Sequence, residues 1–519
     1  MDEHARAATA DLLRRTMRRD RLPAVSVAVV DRDGTLYADG FGSRDLAGNR
    51  PATPGTLYGV GSVTKSVTAL ALAQLREAGM LEFDDPVAAH LDVDLGGADG
   101  EPVRLHHLLS HSSGLPSLGT SEALIGRRLR RDTDTVPLAD ADDFRAHVEG
   151  AVGSAGPGAG GPGADATGSG PRGGPRAPDR DERIAAPGER FAYSNEEYVL
   201  LGEVIEENTG RPYGRYVEEH VLDPLGMDRA TFEDAAYAMD DDHATMYLRE
   251  PRENGTASGS ATGAGGSRED LVASSVPTRE LSRPAGGLLA PVSELATYVR
   301  LFLGDGAVDG DEVVSPESVA ALTEGRVDTP SGPYGFGWRT RESCGHDLVG
   351  HSGSIAVSSA YVGFSREAGL GVAVAANASP DYPLVRLGEG VFACALGRDP
   401  YEAAPFFERR RRFDRLAGEY ASYRGVKRAY VARAGGSGSL RLDLAGPLGG
   451  ESLPLVETAD DDPYAFRTTN AAGEAVPVEF RVGDAGAPAT AGGGGAADVD
   501  LLYDRWHLHK VADEVVGRE

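Results

Sequence analysis

Where the apolar β-type runs fall constrains the fold of this chain more than any other feature. One run lies near the start, Ala24-Val25-Ser26-Val27-Ala28-Val29-Val30. The turn Asp31-Arg32-Asp33-Gly34 follows, and residues 35–41 return, which predicts a hairpin. The other runs lie far downstream, at residues 349–354, 358–364 and 370–377. Between the two clusters the pattern is helical. Residues 62–78 carry Val63, Val67, Leu70, Leu72 and Leu75 at near-helical spacing before Gly79, and helical pattern returns at 194–209, 213–221 and 293–303. The two strand-rich ends are expected to join in one sheet. That predicts an α/β (α+β) body over residues 1–400, with helices flanking a mainly antiparallel sheet and a helical subdomain between.

The texture changes near Phe413. Leu440-Arg441-Leu442-Asp443-Leu444, Val476-Pro477-Val478-Glu479-Phe480 and Leu501-Leu502-Tyr503 are short strand-like runs parted by Gly-rich turns. They predict a separate small all-β barrel or sandwich over 413–519, with 401–412 as linker and Arg409 to Arg412 as a solvated part of it. Residues 151–183, 252–272 and 483–497 are dominated by Gly, Ala, Pro and Ser. They lack the apolar surface to offset ordering entropy and read as disordered insertions.

The formal net charge is −28, from 80 acidic and 52 basic residues. Such a surface repels itself and, with lysine nearly absent, reads as adaptation to a high-salt cytoplasm. It also argues against nucleic-acid partners, which need basic stripes. Residues 1–20 are charged and amphipathic, without the apolar stretch of a signal peptide. No run reaches membrane-spanning length, so the expected location is the cytoplasm, with no membrane partner. Cys344 and Cys394 imply no disulfide framework.

The chain has three lysines, Lys65, Lys427 and Lys510. Arginine, used almost everywhere else, cannot act as a base, whereas a desolvated lysine can. Lys65 follows Ser62 by three residues at the start of a predicted helix, so Oγ and Nζ share a face. The free N–H of Ser62 can meet a developing oxyanion, and the positive helix end is expected to depress the lysine pKa. Tyr193-Ser194-Asn195 precedes a second helix. Its phenol is expected to titrate low beside an ammonium and to shuttle a proton, while the Asn195 amide offers a partner for a substrate carbonyl. His351-Ser352-Gly353-Ser354 lies on a predicted strand. Gly353 would admit a substrate backbone there, and the Ser354 N–H could donate to an oxyanion. Taken singly, a core tyrosine, a capping serine and a strand histidine explain these residues as well.

Together, in this order and spacing, they make the chain resemble the penicillin-recognising serine hydrolases of the class C β-lactamase, D-alanyl-D-alanine carboxypeptidase and esterase branch. Tyr58-Gly59-Val60-Gly61, Leu108-Leu109-Ser110-His111-Ser112-Ser113-Gly114-Leu115 and Tyr334-Gly335-Phe336-Gly337-Trp338 are similar to that family too. The resemblance implies that Ser62 is acylated and that Lys65 and Tyr193 handle its proton. It implies that Asn195, His351, Gly353 and Ser354 bind substrate, with the N–H groups of Ser62 and Ser354 as the oxyanion hole. His351 stands where β-lactamases carry the lysine of Lys-Thr-Gly. That substitution implies a peptidase of D-amino-acid or carboxypeptidase type, or an esterase, ahead of a β-lactamase.

A non-catalytic binding protein retaining the fold is the alternative from another class. The substrate would be a small molecule or a peptide, with no cofactor. No metal is expected, because family members carry the His-x-Ser-Gly loop without one and His106, His107 and His111 lack an evident carboxylate ligand. His507 and His509 alternate on a strand face and read as surface groups. The segment from Gly418-Glu419-Tyr420 is similar to the lipocalin-like barrel appended to some archaeal peptidases, which allows a homo-oligomer through that domain.

Overall fold

The computed structural model of the chain describes residues 1–96, 101–129, 138, 140–152, 181–251, 269–276, 280–434, 438–445, 450–458, 462–470, 472–483 and 499–513. Most of the three low-complexity stretches lies outside them. Residues 269–272, expected within an insertion, belong instead to strand Glu269–Ser274, which pairs with Met246–Pro251. The chain divides into two units, one of Met1–Arg249 with Leu271–Asp399, the other chiefly of Pro400–Glu519.

The first unit is built on a seven-stranded sheet. Its strands are β1 (Ala24–Val30), β2 (Thr35–Asp45), β3 (Arg50–Pro51), β4 (Arg339–Ser343), β5 (His346–Ser354), β6 (Ser359–Ser365) and β7 (Leu370–Ala376). Their order is β4-β5-β6-β7-β1-β2-β3, antiparallel throughout. The far-apart ends meet at β1 and β7, with Val27 opposite Val374. Every residue of β1 is buried. Ala28, Val30, Val362 and Ala373 face the core under helix Val292–Leu303. The alternate residues Val27, Val29, Val372 and Val374 are equally buried, on the side covered by helices Glu3–Asp20 and Val385–Ala395. Burial on both faces explains why β1 is continuously apolar rather than alternating. Each such valine contributes about 1.5–3 kcal/mol.

Helix Thr64–Glu77 runs through the same core and has 11 buried residues. A helix covered on nearly all sides needs no polar stripe, which is why its periodicity is only approximate. It packs against helices Asn195–Thr209 and Arg283–Gly286. The close approach of those two depends on Gly202, where a Cβ would overlap the Pro284 ring. Cys344 and Cys394 are both free thiols.

The second unit is a closed eight-stranded barrel. Its strands are β8 (Gly418–Ala421), β9 (Arg428–Ala434), β10 (Ser439–Ala445), β11 (Glu451–Glu457), β12 (Ala465–Thr469), β13 (Ala475–Val482), β14 (Val499–Tyr503) and β15 (Trp506–Asp513). Strand β15 pairs back onto β8, so no edge is left open. The expected linker is not extended. Residues Pro405–Leu416 are a helix whose Phe413 and Leu416 join the barrel core. Arg409 and Arg412 both pair with Glu457 rather than standing free in solvent. Their spacing of three places them on one helical face, a register that a run of four arginines hides. Lys510 points inward and donates to Arg415 O at 2.8 Å, satisfying a carbonyl at the end of this helix. Among the described residues no helix is long and apolar enough to cross a membrane.

Candidate active site

Ser62 sits in a 3₁₀ turn, Gly61–Val63, that runs directly into helix Thr64–Glu77. Gly61 holds φ +55°, a left-handed conformation, and a Cβ on it would lie 2.6 Å from Ser354 N. Strand β4 pairs only with residues 346–350 of β5, so residues 351–354 present a free edge to this turn. A Cβ on Gly353 would overlap Val60 O and lie 2.5 Å from Ser62 N. Gly353 thus admits the chain's own backbone, where sequence reasoning expected a substrate's. The crossing brings the amides of Ser62 and Ser354 side by side.

Lys65 is fully buried. Its Nζ lies 3.1 Å from Ser62 Oγ, 2.6 Å from Asn195 Oδ1 and 2.7 Å from Ala285 O. Burial lowers its pKa to about 7, outweighing the opposite pull of Glu196, Glu197 and Glu122. Desolvation is therefore the main cause, not the helix end. A neutral amine has two N–H donors and one lone pair. When protonated, Nζ donates to all three oxygens; when deprotonated, its two N–H groups stay on Asn195 Oδ1 and Ala285 O and its lone pair faces the Ser62 hydroxyl. Ala285 contributes a main-chain carbonyl, which no side-chain pattern could have flagged. The Asn195 Nδ2 group has no protein partner among the described residues.

Tyr193 lies beside this pair, its ring 4.9 Å from Lys65 Nζ. The residue is 36 % exposed, and its hydroxyl is hydrogen-bonded with Ser62. Burial pushes the phenol well above its ordinary value, against the lowering effect of its hydrogen bond with Ser62. This corrects the expectation of an acidified tyrosine: the cost of burying a phenolate outweighs the contacts that favour it. His351 is buried, and burial drives its pKa down to about 3. Its Nδ1–H donates to Ser352 O at 2.8 Å and its Nε2 accepts from the Tyr334 hydroxyl at 3.0 Å. Both nitrogens are thus engaged by the protein, and the ring is neutral. His351 stands at the site through the Tyr334 hydroxyl and the Ser352 carbonyl.

Three features were missed from the sequence. The loop after helix Leu105–Leu109 clamps the segment that carries Tyr193. Gly114 O accepts from Ile184 N, Ser112 O from Gly188 N, and His111 O from Ala192 N, at 2.7–3.0 Å. Behind Tyr193, His111 and Glu197 form a fully buried pair through Nδ1 and Oε2. Burial lowers the histidine and raises the carboxyl, each shift favouring the uncharged form of its group. His106 and His107 turn instead to Phe83 O and Arg104 N, so the three histidines do not converge. The third feature is Arg339, half-buried, with its guanidinium 5.2 Å from the rings of both Phe191 and Tyr334. Its hydrogen bond goes to Thr329 Oγ1, and it has no carboxylate partner among the described residues. Arginine is common in this chain, so position 339 carried no signal.

A mainly antiparallel sheet with a helical subdomain, and a Ser-x-x-Lys, a tyrosine and a glycine-bearing strand around one cleft, define a penicillin-recognising fold. The chain belongs to the beta-lactamase family, whose pattern matches residues 9–389. A second pattern, the Pab87 octamerisation domain, matches residues 400–509. The structure is similar to that of the octameric penicillin-binding protein homologue from Pyrococcus abyssi, at 30 % identity and TM-score 0.76, covering 97 % of this chain and 99 % of that one. It is also similar to a D-stereospecific amidohydrolase from Streptomyces sp., at 25 % identity and TM-score 0.54, covering 75 % of this chain and 99 % of that one. Protein flp of Staphylococcus aureus (strain MW2) is 24 % identical over 374 residues, 72 % of this chain, and the match spans 63 % of its length.

Proposed function

We propose that the protein is a serine hydrolase that forms an acyl-enzyme on Ser62, with an amide or peptide substrate. The observation that carries this reading is the buried Lys65 amine, whose Nζ lies 3.1 Å from Ser62 Oγ and is held there by Asn195 Oδ1 and Ala285 O; once deprotonated it keeps two N–H groups for those oxygens and turns its lone pair to Ser62 Oγ. Ser62 gives its proton to Lys65 as Oγ attacks the substrate carbonyl. The N–H groups of Ser62 and Ser354 receive the oxyanion. Tyr193, a neutral phenol, passes its proton to the leaving amine and takes up the one that Lys65 received from Ser62, so both return to their starting forms, while Asn195 Nδ2 holds the substrate amide. Water then hydrolyses the ester. The test is fluorophosphonate labelling with peptide mapping. An adduct on Ser62 is expected, and an adduct on another serine overturns the assignment. Lack of label together with lack of turnover on p-nitrophenyl esters and D-amino-acid amides favours the non-catalytic reading.

Two observations favour a peptidase of D-amino-acid or carboxypeptidase type over an esterase or β-lactamase. One neighbour is a D-stereospecific amidohydrolase. The other is Arg339, a guanidinium over the rings of Phe191 and Tyr334 with no carboxylate partner among the described residues, suited to a substrate's terminal carboxylate. Neutral His351 supplies no such charge on the strand where β-lactamases carry lysine. Arg339→Met is expected to raise KM about tenfold or more for substrates ending in a free carboxylate, while their amidated analogues are unaffected. Equal effects on both would remove the carboxylate-binding role.

The Pyrococcus abyssi homologue is octameric, and residues 400–509 match an octamerisation domain; both support a homo-oligomer formed through the barrel. The charge of −28 supports a protein of a salt-rich cytoplasm. Carboxylates repel over longer range as the Debye length grows from about 3 Å at 1 M to about 10 Å at 0.1 M salt. Unfolding spreads them apart, so the melting temperature is expected to fall between molar KCl and dilute buffer. An unchanged or higher value in dilute buffer would end the halophilic reading and leave Ser62 untouched.

A further inference from the structure

We propose that the outer wall of the C-terminal barrel carries a divalent transition-metal site made of Asp500, His507 and His509. The inference is independent of the chemistry at Ser62. Strand β15 alternates His507 and His509 outward with Leu508 and Lys510 inward. Residues two apart on a strand share a face. Asp500 on neighbouring β14 lies directly opposite His509, and Leu502 opposite His507, so the carboxylate sits across from one imidazole and diagonal to the other. Asp500 Oδ2 lies 2.9 Å from His507 Nε2, and Oδ1 lies 2.7 Å from His509 Nδ1. The two rings are 4.7 Å apart.

One donor atom from each residue falls within 4.8 Å of the other two. A tetrahedral zinc with ligands at about 2.0–2.2 Å sets its donors about 3.3–3.5 Å apart. Closing the trio onto one ion thus needs shifts of about 1.5 Å at most, within reach of exposed side chains on two rigid strands.

The surroundings allow a cation. Arg481 faces Asp500 across the other strand pair, yet its Nε is turned to Glu479 at 2.7 Å. On the far side of His509 the paired residue is Ala421, whose methyl leaves room for an ion. Two imidazoles with one carboxylate suit zinc, cobalt, nickel or copper, whereas magnesium and calcium favour all-oxygen shells. Three protein ligands leave a coordination position for water. Ligation needs neutral imidazoles, so affinity falls on acidification.

The test uses the tag-free full chain, stripped with chelator and kept in molar KCl so that loose binding to the acidic surface is screened. Zinc is titrated by calorimetry and cobalt by visible absorption. One ion per chain is expected to bind, with its affinity falling about tenfold or more in Asp500→Asn and lost in His507→Gln with His509→Gln. Equal stoichiometry and affinity in wild type and double variant would overturn the site, as would no uptake by the wild type at tenfold excess of metal. Melting temperature and turnover at Ser62 check that the variants fold. Should the double variant unfold, Asp500→Asn, which keeps size and shape, decides.

Discussion

Lys65→Arg is expected to be as inactive as Lys65→Ala, with kcat about 10²- to 10⁴-fold below wild type in both. Arginine keeps the charge and most of the length, but it does not release its proton at any working pH. It would also place a permanent cation, with more donors, in a buried site that holds one neutral amine. In the wild type, the value of about 7 for Lys65 sets the acid limb of the profile. Below it the amine is protonated and its lone pair lost, so kcat/KM should rise as pH climbs through 7. Tyr193, held well above its ordinary value, should add no alkaline limb in the neutral range. Stopped turnover with a chromogenic ester across pH for the three proteins makes the comparison. Near-normal turnover by the arginine variant would show that Lys65 acts through charge alone.

Gly353→Ala is the second large effect. The added methyl would overlap Val60 O and come within 2.5 Å of Ser62 N. Both obstacles are backbone, which cannot rotate away as a side-chain tip would. Either β5 or the Gly61–Val63 turn must move, and with it the pairing of the Ser62 and Ser354 amides. Loss of one aligned oxyanion donor corresponds to about 10²–10³ in kcat. Forcing a methyl into close-packed backbone costs about 1–3 kcal/mol of stability. The expected pattern is a large fall in kcat with a modest fall in melting temperature. Equal activity in the alanine variant would mean that Ser354 N–H is not an oxyanion donor.

Much of the catalytic body was legible before any coordinates. The β1–β2 hairpin, the Ser62/Lys65 pair and the barrel all announce themselves through local rules: period, turn chemistry and the offset of two side chains on a helix. Arg409 to Arg412 was misread because a charge run masks the helical register that Phe413 and Leu416 complete. The direction of the Tyr193 shift was not legible because it is set by burial of the phenol itself.

The sequence by itself therefore carried the family resemblance, the expectation that the two strand-rich ends join in one sheet and the Ser62/Lys65 offset, since these rest on local patterns and on their order along the chain. Only the tertiary structure decided the desolvation of Lys65, the engagement of His351 by Tyr334, the buried His111–Glu197 pair and an Arg339 with no carboxylate partner among the described residues. Those follow from desolvation and from contacts between residues far apart in sequence, such as Lys65 with Asn195 and Ala285. Local pattern carries no record of such contacts.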